Sequence, residues 1–567
     1  MSLSSFVQNQ YELWLNDDAI DQATKEELTA IQGNYKEIED RFYRDLEFGT
    51  GGLRGVIGAG TNRLNVYTVG RATQGLAQYV LSSGAAEPSA VIAYDSRHQS
   101  PEFALETALV LAGNGIKAYV FESLRPTPEL SFAVRHLKAT AGVVITASHN
   151  PPEYNGYKVY GRDGGQLVPD QAEKVIAEIQ QITSFAAVKK LGRQEAESKG
   201  HLQWIGEELD EAFIQAVASV SQNPSLVQQM SSDFRIVYTP LHGAGNLSVR
   251  SALAAIGFEQ VYVVPEQELP DANFSTVKSP NPEERDAFHL AIEAAKSYQA
   301  DIVIGTDPDC DRMGAVVKDA GGEYFVLTGN QSGAIMVDYL LSSYKEKGKL
   351  PASGVVIKTI VTSEMGAVIA KHYGVETLDT LTGFKYIGEK MTQFDASGDH
   401  QFLFGYEESY GYLAGTYARD KDAVVASTLI CEAAAYYKSK GKTLYEVLQE
   451  LYERHGYFLE SLESRTMKGK EGVEKIRSIM DDWRGNPPTD INGVGVVKSE
   501  DFSTGLYGLP QENVLKFTLQ DDSWFCLRPS GTEPKIKVYF AVRGTSSEGA
   551  SAVLSALVQT VMARVDA

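Results

Sequence analysis

"AVIAYDSRHQSPEFALETALVLAGNGIKAYVFES", residues 90–123, decides the fold. Two runs rich in β-branched and aromatic residues, 90–97 and 117–123, flank a segment, 101–113, whose apolar residues recur at three-to-four spacing. Strand, helix and strand in that order make a βαβ unit, which requires a parallel sheet with helices on its faces. The same alternation recurs outward along the chain in "AGVVITAS" (141–148), "FRIVYTPLHG" (234–243), "DIVIGTDPD" (301–309), "GVVIKTIVTS" (354–363) and "QFLFGYEES" (401–409), with a helical pattern at 286–297. Each of these runs ends in hydroxyls, acids or glycine. Ligands of open α/β sheets bind beyond the carboxyl ends of strands, so function is expected there.

After about residue 456 the pattern changes. A helical stretch at 470–484 precedes the closely spaced strands "GVGVVKS", "VLKFTL", "SWFCLR" and "KIKVYFAV", and a last helix is expected near 547–564. Strands clustered without intervening helices predict a smaller α+β domain. At 567 residues the chain exceeds what one core supports. The expected division is 1–205, 206–322 and 323–455 as α/β domains with mostly parallel mixed sheets, and 456–567 as the α+β domain.

Lys and Arg number 52 against 74 Asp and Glu, a net charge of −22. That balance argues against a nucleic-acid or anionic-membrane surface, although a local basic pocket can still hold an anion. Cys310, Cys431 and Cys526 are widely separated and odd in number, which suits a reducing compartment and provides no disulfide framework or zinc signature. The first twenty residues lack the basic segment and apolar core of a signal peptide. The longest apolar stretch, "AVVASTLICEAAAYY" (423–437), is interrupted by Glu432 and is shorter than the ~20 residues a membrane helix needs. The expected location is the cytoplasm.

"IGTDPDCDR" sets Asp307, Asp309 and Asp311 at alternate positions after a strand. Alternate side chains of an extended loop point the same way, so three carboxylates are expected to converge. They would repel one another unless a cation sat among them, and oxygen-only donors suit a hard ion such as Mg²⁺. The competing readings are a solvated acidic turn and a calcium EF-hand, the latter disfavoured because its sixth and twelfth positions are Arg312 and Lys318.

"VVITASHNPPEYNGYKVY" (143–160) raises the question of Ser148. It lacks the G-x-S-x-G elbow of a hydrolase nucleophile. Neighbouring side chains of an extended segment diverge, so His149 is not expected to serve as this serine's base. Ser and Asn before Pro-Pro can simply build a turn. In a third reading the serine carries a phosphoryl group, whose transfer depends on positioning and electrostatics. No nucleotide-binding P-loop or kinase glycine loop is present to supply a donor.

The serine loop "TASHNPPEYNGYK", the metal loop "DPDCDR", "GYEESYG" (405–411) and "RPSGTEPKIKVY" (528–539), with an early "FGTGGLRG" (48–55), occur in the order found in the α-D-phosphohexomutases. The chain resembles that superfamily of phosphoglucomutases and phosphomannomutases over nearly its whole length. The resemblance implies three α/β domains and a smaller fourth around a central cleft. It implies Ser148 as phosphoserine, and Mg²⁺ held by Asp307, Asp309, Asp311 and an oxygen of the serine phosphate. Arg54, His149, Lys158 and Arg312 match positions near the transferring phosphate, where cations stabilise charge and His or Lys can move protons. Glu407 and Ser409 match the sugar-binding loop; Arg528, Ser530, Gly531 and Thr532 match the site for the non-transferring phosphate. Lys385 aligns with a proton-accepting lysine, and Arg419 and Lys421 are expected to line the cleft.

The implied reaction passes a phosphoryl group from Ser148 to a sugar 1-phosphate, giving a bisphosphate that turns around and returns its other phosphate. Glucose 1-phosphate is the expected substrate, with glucose 1,6-bisphosphate as activator and intermediate. Pro308 and Cys310 depart from the commoner D-G-D-G-D-R loop and resemble a branch that also holds phosphopentomutases and sugar-bisphosphate synthases. Mannose and pentose phosphates therefore stay in view. Outside the class stand a metal-dependent sugar phosphatase and a sugar-phosphate sensor without turnover.

Overall fold

A computed structural model describes residues 3–49, 51–467, 469–530 and 535–567 of the chain. Three short helices, Ser5–Asn16, Gln22–Ala30 and Tyr35–Phe42, come first, capped by Ser4, Asp21 and Asn34. Trp14, buried among Phe42, Tyr67 and Phe185 in edge-to-face contacts of 5.3 to 5.9 Å, fastens them to the first sheet's helices.

The βαβ unit forms as expected: strand Ser89–Tyr94, helix Ser100–Gly113 and strand Lys117–Phe121. Ser89–Tyr94 is buried at every position, as a strand covered on both faces must be. It lies parallel to Lys117–Phe121 and to Ala141–Ile145. Two antiparallel strands, Tyr154–Gly161 and Gly52–Val56, extend the sheet on one side, and Leu202–Ile205 closes the other.

The second sheet has five strands, with Arg235–Thr239 parallel to Ile302–Thr306 and to Gln260–Val263, and an antiparallel extension through Met313–Lys318 and Tyr324–Val326. The third has four, with Gly354–Thr359 parallel to both Glu376–Thr380 and Gln401–Glu407, and Gly411–Ala414 antiparallel at its edge. The last sheet is antiparallel throughout, six strands backed by helices Gly469–Gly485 and Ser547–Val565. Three mixed α/β layers and one α+β layer thus match the expected fold class.

The apolar stretch at 423–437 is an internal helix, Ala423–Ser439, buried continuously from Ala423 to Tyr436 between elements of the second and third domains. Glu432, which interrupts it, is fully buried and accepts from Tyr339 Oη at 2.7 Å, from the Gln222 amide at 2.6 Å and from the Asn223 amide. A buried carboxylate is tolerated because it has these donors. Among the described residues no helix is long and apolar enough to cross a membrane.

Candidate active site

Ser148 lies where strand Ala141–Ile145 ends, and two side chains from the neighbouring strand end shape its loop. Thr146 Oγ1 donates to Asp95 Oδ2 at 2.6 Å and accepts from the Ser148 amide at 2.8 Å. Arg97 gathers four carbonyls of the loop, those of Ser148 (2.6 Å), Asn150 (2.5 Å), Pro151 (2.9 Å) and Tyr154 (3.0 Å), while its Nε stands 3.3 Å from Asp95. Both charged groups are fully buried, so each needs the other. Held in this way, Ser148 adopts a left-handed backbone conformation, φ +53°, uncommon for a residue other than glycine.

That conformation overturns one expectation. His149 Nδ1 lies 3.2 Å from Ser148 Oγ. Side chains alternate only on extended backbone, and the left-handed turn at Ser148 folds the two to one side. Burial, followed by the nearby charges of Arg312 and Arg54, holds the His149 pKa well below 6.5, leaving a neutral imidazole at pH 7. Arg54 Nη1 donates to Asn150 Oδ1 at 3.2 Å, on the same loop.

Ser148 Oγ donates to Asp307 Oδ2 at 2.9 Å. Asp307, Asp309 and Asp311 are buried, with one oxygen of each inside a cluster no wider than 4.8 Å. They converge as expected but for a different reason, since the loop is a turn rather than an extended segment. The Cys310 amide donates to the Asp307 carbonyl at 2.9 Å, Cys310 has φ +53°, and Asp307 Oδ1 accepts from the amides of Asp311 (3.1 Å) and Arg312 (3.0 Å). Burial and then the charges of Asp309 and Asp311 push Asp307 well up. Burial acts the same way on Asp309, but Lys158, 2.7 Å from Asp309 Oδ2, together with a hydrogen bond to Asp307 and the charge of Lys421, outweighs it and holds that carboxyl down.

Lys158 also lies 3.5 Å from Asp311, and Lys421 Nζ is 3.1 Å from the same Asp311 oxygen. Asp309 Oδ1 and Asp311 Oδ1 remain buried without a hydrogen-bond partner. Two orphaned carboxylate oxygens among three converging acids fit a hard divalent cation, which would supply the charge they lack.

Two contacts to this loop are not legible in its own residues. Thr127, at the start of helix Thr127–His136, donates through Oγ1 to Asp309 Oδ2 and through its amide to the Asp309 carbonyl, both at 2.9 Å. Gly243 leaves room for the other side: the Ala244 amide donates to the Pro308 carbonyl at 2.8 Å, and a Cβ on Gly243 would stand 2.5 Å from Pro308 Cα.

A cleft of about 820 Å³ opens beside the serine loop, which lines it through His149, Asn150 and Pro151, and all four domains contribute to it. Arg54 and His149 line it from the first, Arg312 from the second, Glu407, Ser409 and Lys421 from the third, Arg528 and Ser530 from the fourth. Glu407 is buried and its Oε1 accepts from the Gly383 amide at 2.8 Å, which fixes the carboxylate at the wall. Its neighbour Glu408 instead accepts from the hydroxyls of Thr359 and Thr362 at 3.3 and 3.0 Å. Arg528 Nη2 donates to Glu512 at 3.3 Å.

Lys535 and Lys537 join this wall. Sequence reading passed over them, although their alternate positions in "KIKVY" place both on one face of strand Lys535–Gly544. Gly531 and Thr532 lie outside the described residues.

Arg419 does not line the cleft. It is fully buried, its two terminal nitrogens donating to the carbonyls of Thr416 (2.6 Å) and Ala418 (2.8 Å) in its own loop and to Asp395 Oδ2 on helix Phe384–Ser397. Lys385 lies in the first turn of helix Phe384–Ser397 with Nζ 5.1 Å from the Tyr386 ring, and is not among the described residues lining the cleft. Burial depresses its pKa, with Glu512 opposing and Arg528 adding to the effect.

Four family models match in order: "Phosphoglucomutase/phosphomannomutase, alpha/beta/alpha domain I" over residues 45–186, domain II over 211–322, domain III over 328–455 and the C-terminal domain over 464–554. A phosphoglucomutase of Staphylococcus haemolyticus is 39% identical over 524 residues, covering 90% of this chain and 93% of the relative. One from Staphylococcus aureus is 37% identical over 562 residues, covering 96% and 98%. Among solved structures, the open form of the Paramecium phosphoglucomutase parafusin has a TM-score of 0.71 at 16% identity, covering 92% of this chain and 95% of its own. A phosphoglucomutase/phosphomannomutase family protein from Burkholderia thailandensis gives 0.65 at 18%, covering 91% and 97%. At those identities the likeness is one of fold.

Proposed function

The chain belongs to the phosphoglucomutase/phosphomannomutase family, and from that premise we propose that it interconverts glucose 1-phosphate and glucose 6-phosphate through phosphorylated Ser148 and bound glucose 1,6-bisphosphate. The observation that carries the reading is the 2.9 Å contact between Ser148 Oγ and Asp307, inside an acidic cluster whose Asp309 and Asp311 oxygens are orphaned. A solvated turn would leave those oxygens to water.

Asp307, Asp309 and Asp311, with a phosphate oxygen on Ser148, would hold Mg²⁺; when bound it offsets the negative charge of the acids and of the transferring phosphoryl group. The chain's own residues do the rest. Phosphorylated Ser148 gives up its phosphoryl group as the P–Oγ bond breaks and a bond forms to the free 6-hydroxyl of glucose 1-phosphate. The hydroxyl proton passes to His149, whose imidazole is neutral and faces the cleft, and from it to the departing Ser148 Oγ, 3.2 Å from His149 Nδ1. Arg54 and Arg312 face the equatorial oxygens, and Lys158 keeps Asp309 ionised.

The bisphosphate then turns about, and its 1-phosphate is returned to Ser148 as the serine hydroxyl proton passes through His149 to the departing sugar oxygen. Throughout, Glu407 and Ser409 hold sugar hydroxyls, and Arg528 and Ser530 hold the phosphate that is not reacting. Lys421 stays beside Asp311 at the floor. Lys385, set off the cleft wall, is assigned no step. Contacts from four domains to one cavity allow closure to exclude water, which would otherwise accept the phosphoryl group.

The test is to incubate the protein with glucose 1,6-bisphosphate labelled in phosphorus and map the label. It should reside on Ser148, and sugar 6-phosphate should form from sugar 1-phosphate without release of inorganic phosphate. Label elsewhere, or a Ser148→Ala protein of undiminished mutase activity, sinks the proposal.

A further inference from the structure

Residues 269–284 of the second domain form a long connection with no strand or α-helix, yet they are tied down at several points. Phe274 is buried with the Arg97 guanidinium 5.0 Å over its ring, and Asn273 Oδ1 lies 2.8 Å from His98 Nε2, both contacts to the first domain. Thr276 Oγ1 bonds His242 Nε2 at 2.8 Å and Gln267 Nε2 at 3.0 Å. Pro282 is pressed against Gly314, whose added Cβ would meet the Pro282 carbonyl at 2.5 Å. Long connections with no regular structure are most often functional. This one ends by placing Glu283 in the catalytic cleft.

There Glu283 Oε1 accepts from Arg312 Nη1. Asn281 Oδ1 receives the Glu283 amide at 3.1 Å, so the carboxylate is presented from a fixed backbone. The rest of the Arg312 guanidinium is poorly used: Nε is buried without a hydrogen-bond partner and is 3.9 Å from Asp311. Both side chains of the pair retain some exposure, 19% for Arg312 and 32% for Glu283, on the cleft side. A guanidinium that is to meet phosphate is thus already engaged by a carboxylate, an anion of similar geometry but lower charge.

We propose that Glu283 is a displaceable stand-in for phosphate: it occupies Arg312 until a sugar phosphate arrives, and the exchange of Arg312 between carboxylate and phosphate sets how firmly the bisphosphate is held. The proposal rests on the mutase reading above. A bisphosphate that must let go of each phosphate contact and turn around is poorly served by an arginine with no alternative partner. Glu283 provides that partner, at the cost of weaker first binding, because the incoming phosphate must displace the carboxylate from Arg312. It acts through Arg312 and is a positioning residue.

The decisive experiment is calorimetric binding of glucose 1,6-bisphosphate, and separately of inorganic phosphate, to Ser148→Ala protein with and without Glu283→Gln. Removing the carboxylate charge should tighten binding of both probes, by about tenfold for the bisphosphate. In an Arg312→Ala background the Glu283→Gln change should shift affinity by less than about twofold, the mark of coupling through one partner. In the active protein Glu283→Gln should lower KM for glucose 1-phosphate and lower kcat as well, since the tightly held bisphosphate reorients more slowly. Unchanged or weaker binding in Glu283→Gln, or an effect that persists without Arg312, overturns the proposal. If the bisphosphate does not bind Ser148→Ala protein at all, the mutase reading falls, and the inorganic phosphate measurements still decide whether Glu283 competes for Arg312.

Discussion

Ser148 Oγ donates to Asp307 Oδ2 at 2.9 Å, although 159 residues separate them in the chain. The contact joins the end of one parallel strand in the first domain to the end of another in the second. Asp307→Asn keeps the size of the side chain and its amide contacts but removes one of three charges from the cluster. It should lower kcat about 10²- to 10³-fold and weaken Mn²⁺ binding followed by electron paramagnetic resonance. Chelation of divalent metal should likewise abolish turnover in the parent, restored by Mg²⁺.

Arg97 is expected to matter as much as residues that touch substrate. Arg97→Lys keeps the charge opposite Asp95 but loses the fork that gathers four loop carbonyls. The left-handed Ser148 then loses its support. Steady-state kinetics should show kcat down about 100-fold with KM changed little, since misplaced reacting groups are that costly. A full-activity Arg97→Lys protein would show that the loop holds itself.

Gly243→Ala tests the packing of the metal loop from the outside. The new Cβ would stand 2.5 Å from Pro308 Cα, a backbone atom that cannot swing away. Overpacking of this kind costs about 1–3 kcal/mol, read as a lower Tm, and Mg²⁺ affinity should fall with it because Pro308 lies between Asp307 and Asp309.

Glu460 predicts a pH dependence of stability. Burial raises its pKa from 4.5 to about 7, with hydrogen bonds from Ser363 and Asn330 acting the other way. Between those values the folded protein holds a proton that the unfolded chain has released, so this group's contribution to stability falls as pH rises from 4.5 to about 7. Glu460→Gln should therefore unfold at a higher temperature than the parent above pH 7, and the advantage should vanish below pH 4.5 in a series of thermal melts. An advantage of the same size at both ends of the range would contradict it.

Some of this was legible before any coordinates. The two-period alternation of apolar runs and helical patterns specified parallel α/β layers, because burial on both faces leaves its mark on every strand position. Ser148, the three aspartates, Glu407 and Arg528 stood out because short motifs at strand ends carry chemistry in a few adjacent residues. The three N-terminal helices and the antiparallel strands Gly52–Val56 and Tyr154–Gly161 were not read, since turns rich in Gly and Asn obscure their period.

What only the tertiary structure decided are the relations between distant residues. His149 reaches Ser148 because a left-handed backbone suspends the alternation that sequence reasoning assumes. Arg419 leaves the cleft because Asp395 and two carbonyls of its own loop take its donors. Thr127, Arg97 and Glu283 look like ordinary loop residues in the sequence, and each gains its role from a partner brought near by folding. Sequence by itself determined which chemical groups this protein owns and on which strand ends they sit. Which of them meet, and which are spent on each other, depended on backbone turns and buried charge pairing, whose energies are set by distances through space rather than along the chain.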